Sequence, residues 1–137
     1  MTEFKSPIRT IPHNNELVFN FLSDLSNLEK VKDRIPEDKV KGFAFDRDSC
    51  SMEISPVGKV VFSVVNREPN KTVKFEASNS VVPLNLWIQL KPVNEETTAM
   101  KLTLRTDLNP FIKPIFSKPI QEALDKVSDL IASLSYQ

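Results

Sequence analysis

"NPFIKPIFSKPIQEALDKVSDLIASL", residues 109–134, is the only long helical pattern in the chain, and what it can cover decides the fold. At 100° per residue, Ile112, Phe116, Ile120, Ala123, Leu124, Val127, Leu130, Ile131 and Leu134 fall within an arc of roughly 120°. Lys118, Glu122, Asp125 and Asp129 lie on the far side. The pattern predicts a one-faced helix from about residue 118, some 25 Å long, which is comparable with a seven-residue strand. Pro110, Pro114 and Pro119 crowd its front. Ser117 would cap a helix that holds Pro119 in its first turn; alternatively Pro119 lies inside a longer helix at a cost of about 3 kcal/mol. Either way Phe111 and Ile115 fall off the apolar arc. This front piece is therefore expected to bury them in another direction, and it is a candidate gate.

Such a helix needs an apolar surface to lie on, and the chain before it supplies one. From Val40 to Leu108 the period of apolar residues is two. "KVKGFAFDRDSCSMEI" reads as two strands joined by a polar turn, with Cys50, Met52 and Ile54 on one side and a bulge at Gly42. Val60, Phe62 and Val64 then alternate against Lys59, Ser63 and Arg67. Val73, Phe75 and Ala77 follow the turn-like "PNKT". The clearest alternation comes last, in Leu84, Leu86, Ile88, Leu90 and then Met100, Leu102, Leu104, across the turn "VNEET". Ahead of these, "EFKSPIRTI" reads as a first strand with Phe4 and Ile8 on one face and Pro7 at an edge or bulge. Two short helices follow it. Asn14 would cap the first, with the stripe Leu17, Val18, Phe21, Leu22; Leu25, Leu28, Val31 and Ile35 mark the second, which Pro36 stops. The order predicts an α+β domain in which about seven short-looped, antiparallel strands present one buried face to the last helix.

Composition narrows the setting. At 137 residues the chain matches a single domain with one core. Its 18 basic and 18 acidic residues give no excess charge for a polyanion or an anionic membrane. The basic run Lys30, Lys32, Arg34, Lys39, Lys41 is interrupted by Asp33, Glu37 and Asp38 and has no interleaved aromatics, so no nucleic-acid partner is expected. Cys50 is the only cysteine, "MTEFKSPIRT" lacks the apolar core of a secretory signal, and no apolar run is long enough to span a bilayer. A cytoplasmic location is expected.

The opening "IRTIPHNNELVFNFLSDLSNLEKV", the strands "DRDSCSMEISPVGKVVFSV" and "NREPNKTVKFEA", and the closing "PIQEALDKVSDLIASL" together resemble the helix-grip superfamily of START, birch-pollen-allergen and polyketide-cyclase proteins (SRPBCC). The resemblance spans nearly the whole chain. It implies a seven-stranded curved sheet wrapped around the C-terminal helix, with a cavity between them for lipids, sterols, polyketides, hormones or aromatic compounds. A hydrophobic small molecule is the partner it implies.

The inward-facing set that would line such a cavity is Met52, Ile54, Phe62, Val64, Phe75, Leu86, Ile88, Leu102, Leu104, Phe116, Ile120, Leu124 and Val127. Burial of each stabilises the fold by about 1.5–3 kcal/mol before entropy, so a filled core has the same composition as a greasy pocket. Catalytic groups are sparse. His13 sits in a loop, Tyr136 is near the terminus, and Cys50 belongs to an apolar face. One histidine and scattered carboxylates give no metal spacing, and "DRDSCSME" lacks the glycine and terminal glutamate of a calcium loop. Neither cofactor nor metal is expected. A cyclase or dehydratase activity would need inward polar groups, yet Asn85, Gln89 and Arg105 alternate outward with Trp87. Trp87, with outward Val61 and Val65, marks a possible weak dimer patch on an otherwise monomeric domain.

Overall fold

The structure is a computed structural model that describes residues 2–34, 40–54, 58–78 and 82–134; Ile35, Pro36, Tyr136 and the side chain of Ile54 lie outside the described residues. In chain order the elements are β1 (Thr2–Lys5), β2 (Arg9–Ile11), α1 (Asn15–Leu22), two 3-10 turns (Leu25–Lys30 and Lys32–Arg34), β3 (Val40–Phe45), β4 (Ser49–Ile54), β5 (Gly58–Glu68), β6 (Thr72–Ser78), β7 (Leu84–Asn94), β8 (Thr97–Thr106) and α2 (Lys113–Ala132). The strands form one sheet in the order β1-β8-β7-β6-β5-β4-β3, with β2 also on β8. Every pairing is antiparallel, as short hairpin connections require.

The first strand expected from the sequence is two. Phe4 is buried, but Ile8 is 70% exposed, because the chain leaves the ladder around Pro7, which has no N–H to donate. Ser6 carries the pairing across the break. Its N–H donates to the Leu102 carbonyl (3.0 Å), and its Oγ accepts from the Leu102 N–H (2.9 Å). Register shifts at Lys41/Ala44, Val64/Asn66 and Pro92/Asn94 interrupt the strands further along. The first coincides with Gly42, whose φ of 61° suits a residue without a Cβ.

Asn14 caps α1, its Oδ1 accepting from the Glu16 N–H at 2.8 Å. The buried stripe is Val18, Phe19 and Leu22; Leu17, expected inside, is 40% exposed, and Phe21 is half-buried. Two tethers set this rotation. Asn14 Nδ2 donates to the Glu95 carbonyl and Asn15 Nδ2 to the Asn70 carbonyl, fixing the helix across two hairpin ends. The next segment is 3-10 rather than α, which explains why Leu25, Leu28 and Val31 recur at intervals of three. Arg34 then donates to Ser133 Oγ and the Ser133 carbonyl, joining this segment to the far end of α2.

α2 starts five residues earlier than the apolar arc alone predicts and holds Pro119 in its interior. At 20 residues it is about 30 Å long. Asn109 prepares its start, its Oδ1 accepting from the N–H groups of Phe111 (2.9 Å) and Ile112 (3.0 Å). The helix approaches β1, β2 and β8. Gln121 Nε2 donates to the Lys5 carbonyl, and Arg9 forms an ion pair with Asp129. Its buried seam is Phe116, Ile120, Leu124, Ser128 and Ile131, and Leu134 is buried just beyond its end. Val127, expected on this face, is 44% exposed. The row 116-120-124-128 steps by four residues and so rotates about 40° per step away from position 127. Phe111 and Ile115 are also corrected: at 87% and 57% exposure they are not buried against anything.

Candidate functional site

Cross-strand partners in an antiparallel sheet point to the same face, so the registers define the rows of the surface beneath α2. One row runs Phe45, Cys50, Phe62, Ala77, Leu84, Thr106, and the next Val64, Phe75, Leu86, Leu104, Phe4. A third runs Arg67, Val73, Ile88, Leu102. Most of the sequence-predicted lining residues sit in these rows or on the helix, while Met52 and Ile54 lie further along β4, opposite Val60 and Gly58; those described differ in burial. Phe62, Phe75, Ile88, Leu102, Leu104, Phe116, Ile120 and Leu124 are buried in one continuous core. Met52, Val64 and Leu86 are only half-buried, as is Ala77. Val127 lies at the helix margin.

This unevenness has geometric meaning. Leu86 occupies a central strand and is flanked in its row by buried Phe75 and Leu104, a position where full burial is the norm. Met52, Val64 and Ala77 lie on β4, β5 and β6, strands away from those that α2 approaches. On these strands the apolar face is mixed: Phe62 and Phe75 are buried, whereas Met52, Val64 and Ala77 are half-buried. At the sheet end where β7 begins and β8 finishes, a depression of about 340 Å³ is lined by Val82, Pro83, Asp107, Asn109 and Ile112. The turn leading into α2 forms one wall. Thr106, fully buried in the adjoining row, has a hydroxyl with no hydrogen-bond partner among the described residues.

Arg67 is the residue that alternation misplaces. The register shift between Val64 and Asn66 turns it onto the face of Val73, where simple alternation puts it opposite. Its Nε donates to the Ser23 carbonyl (2.9 Å) and its Nη2 to Asp48 Oδ1 (2.6 Å), so it ties the end of α1 to the β3–β4 turn. Asp46 shapes that turn. Its Oδ1 accepts from the N–H groups of Asp48 and Ser49 and from Ser49 Oγ, which holds its carboxyl below the usual carboxylate range. The "DRDSCSME" stretch is thus a hairpin turn followed by the start of β4. Among the described residues no group of three or more His, Cys, Asp and Glu side chains is placed to hold a metal.

Cys50 is buried, and burial, with Asp46 as a second cause, pushes its thiol up to about 12. A neutral thiol in an apolar row is a poor nucleophile. The folded-state value lies above the ordinary one, so the folded chain retains this proton after the unfolded chain has lost it. Stability should accordingly fall as pH rises from about 9 to about 12, by about 1.4 kcal/mol per pH unit from this group. Comparing denaturant midpoints of the wild type and Cys50→Ala across that range isolates the contribution. A thiol reagent at neutral pH should modify Cys50 only when the chain unfolds.

Asn85, Gln89, Arg105 and Trp87 lie on the opposite, convex face, as alternation predicts. Gln89 Oε1 accepts from Thr103 Oγ1 (2.8 Å), and Arg105 pairs with Glu3 (2.7 Å), lowering the Glu3 carboxyl. The Trp87 ring is approached by Lys74 Nζ at 5.2 Å and by the Arg105 guanidinium at 5.4 Å. These cations lie over the tryptophan ring, while Val65, on the patch expected from the sequence, is 48% exposed.

No family model matches the chain, and no curated protein matches it in sequence. Solved structures do match in shape. A protein of Thermus thermophilus superimposes with a TM-score of 0.68 at 18% identity, over 96% of this chain and 94% of its own. A START superfamily protein from Mycobacterium smegmatis gives 0.57 at 10% identity, over 91% and 98%. Norcoclaurine synthase from Thalictrum flavum, solved with dopamine and hydroxybenzaldehyde, gives 0.64 at 13% identity, over 98% and 88%. Together with the sheet of antiparallel strands, the long C-terminal helix and the short helical segments described above, these likenesses give the fold: the chain has the helix-grip fold of START-like proteins.

Proposed function

We propose that the protein binds a hydrophobic small molecule between the concave sheet face and α2, with Met52, Val64, Ala77 and Leu86 as the contact surface beside the helix. One observation carries the reading: these side chains are apolar and face inward, yet they are only half-buried. Packing for stability alone would close them off, since each is worth about 1–3 kcal/mol when fully buried. The remaining lining residues, Phe62, Phe75, Ile88, Leu102, Leu104, Phe116, Ile120 and Leu124, form the floor and roof; Ile54 extends β4 toward the same end, and Val127 stands at the rim. The depression bounded by Val82, Pro83 and Ile112 is the entrance. Norcoclaurine synthase, solved with two small aromatic compounds, lends the same fold a precedent for ligands of that size.

Binding is favoured over turnover. The face carries no converging acid and base among the described residues, and Arg67 is held by Ser23 and Asp48. Neither cofactor nor metal is required. The expected result is saturable binding of a hydrophobic dye, displaced by a medium-chain fatty acid or an aromatic ketone. Leu86→Trp should fill the space and abolish binding while leaving the circular dichroism spectrum unchanged. If the wild type shows no saturable binding, the interior is a filled core and the proposal fails.

A further inference from the structure

The turn that leads into α2, together with the first turn of the helix, leaves a surface that the ligand reading does not use. Phe111 is 87% and Ile115 57% exposed, the first being the most exposed large apolar side chain among the described residues. They are not on a floppy arm. Asn109 Oδ1 accepts from the Phe111 and Ile112 N–H groups, and the Lys113 N–H donates to the Asn109 carbonyl at 3.0 Å, so residues 109–113 already form a helical turn. Phe111 and Ile115, four apart, therefore stand on one face of a turn that Pro110 and Pro114 further stiffen. Ordering two apolar side chains in water, rather than folding them onto the adjacent depression, has a cost that packing does not offset.

Charge indicates what covers them. Between Asn109 and Lys118 the chain carries two cations, the exposed Lys113 and Lys118, and no acid. Asp107 is the one carboxylate on the wall of the depression. An aromatic and a branched aliphatic side chain at a rigid tip, bracketed by lysines on long stems, match an interface with apolar depth and anionic headgroups. We propose that the tip of α2 docks on an anionic lipid surface, with Phe111 and Ile115 entering the acyl boundary and Lys113 and Lys118 at the headgroups. The charge pattern of the whole helix speaks against its lying flat on a membrane; contact through the tip alone leaves Glu122, Asp125 and Asp129 in water. Among the described residues no helix is long and apolar enough to cross a bilayer, so the contact is peripheral. This surface is independent of the interior and stands even if the interior binds nothing.

Co-sedimentation of the full chain with phosphatidylcholine vesicles, with and without added phosphatidylserine, tests it. The expected result is binding that requires phosphatidylserine and weakens with salt. Phe111→Asp with Ile115→Asp should reduce binding to background, and because both residues are exposed the fold should survive. Lys113→Glu with Lys118→Glu should weaken partitioning by about tenfold or more. Absence of binding to the anionic vesicles, or binding unchanged in the aspartate variant, overturns the proposal. So does a concentration-dependent dimer in sedimentation velocity that Phe111→Asp dissolves, because the tip would then be an interface between two copies.

Discussion

Leu102→Ala is expected to lower the free energy of unfolding by about 3–4 kcal/mol and the melting temperature by roughly 10 °C. Leu102 is fully buried on β8, the strand that pairs with β1, β2 and β7, and it shares a row with Val73 and Ile88, which are also buried. Its backbone is engaged at both polar groups by Ser6. The strand therefore cannot slide to fill the void that the missing carbons leave, and the cost should lie well above simple transfer. Differential scanning calorimetry and denaturant titration would measure it. A loss below about 1 kcal/mol would mean that neighbouring side chains collapse into the space, which is incompatible with a β8 fixed from both sides.

Ser128→Leu is expected to cost about 3 kcal/mol, whereas Val127→Leu one position earlier should change stability by less than about 0.5 kcal/mol. Ser128 is fully buried in the helix seam, and its Oγ donates to the Asp125 carbonyl (2.8 Å). Its small size allows α2 to sit close to the sheet between the Gln121–Lys5 bond and the Arg9–Asp129 pair. A leucine there would push against the strands while those tethers resist. Val127 faces water over nearly half its surface and can accept another methylene. Equal effects of the two substitutions in chemical denaturation would show that the seam does not run through position 128.

The strands were legible because a two-residue period survives wherever one face is wet and the other dry, as in Leu84 to Leu90 and Met100 to Leu104. What misled was anything that shifts phase without changing composition. The extra residue after Val64 carries Arg67 to the other face, and no sequence pattern announces it. Pro7 has no N–H for the ladder, so one expected strand divides into β1 and β2, and the Ser6 hydroxyl bridges the break. In α2 the apolar arc was read correctly at Phe116, Ile120 and Leu124 and too widely at Val127, because a buried serine carries the seam where hydrophobicity gives no signal. The three-residue spacing of Leu25, Leu28 and Val31 did hold the information for a 3-10 turn. The candidate site was legible only as a set of inward apolar positions. Which of them are pressed shut, and which stay half-open, depends on where α2 lands, and tethers from Lys5, Arg9 and Arg34 decide that.

The two margins of the sheet have a further consequence. On one side β3 ends the order and is bulged at Gly42; on the other, β1 and β2 are four and three residues long and separated by Pro7. A foreign strand adding at either margin would find no long, straight row of free amides to zip along. Edges of this kind disfavour templated strand addition by a sheet rich in valine and leucine.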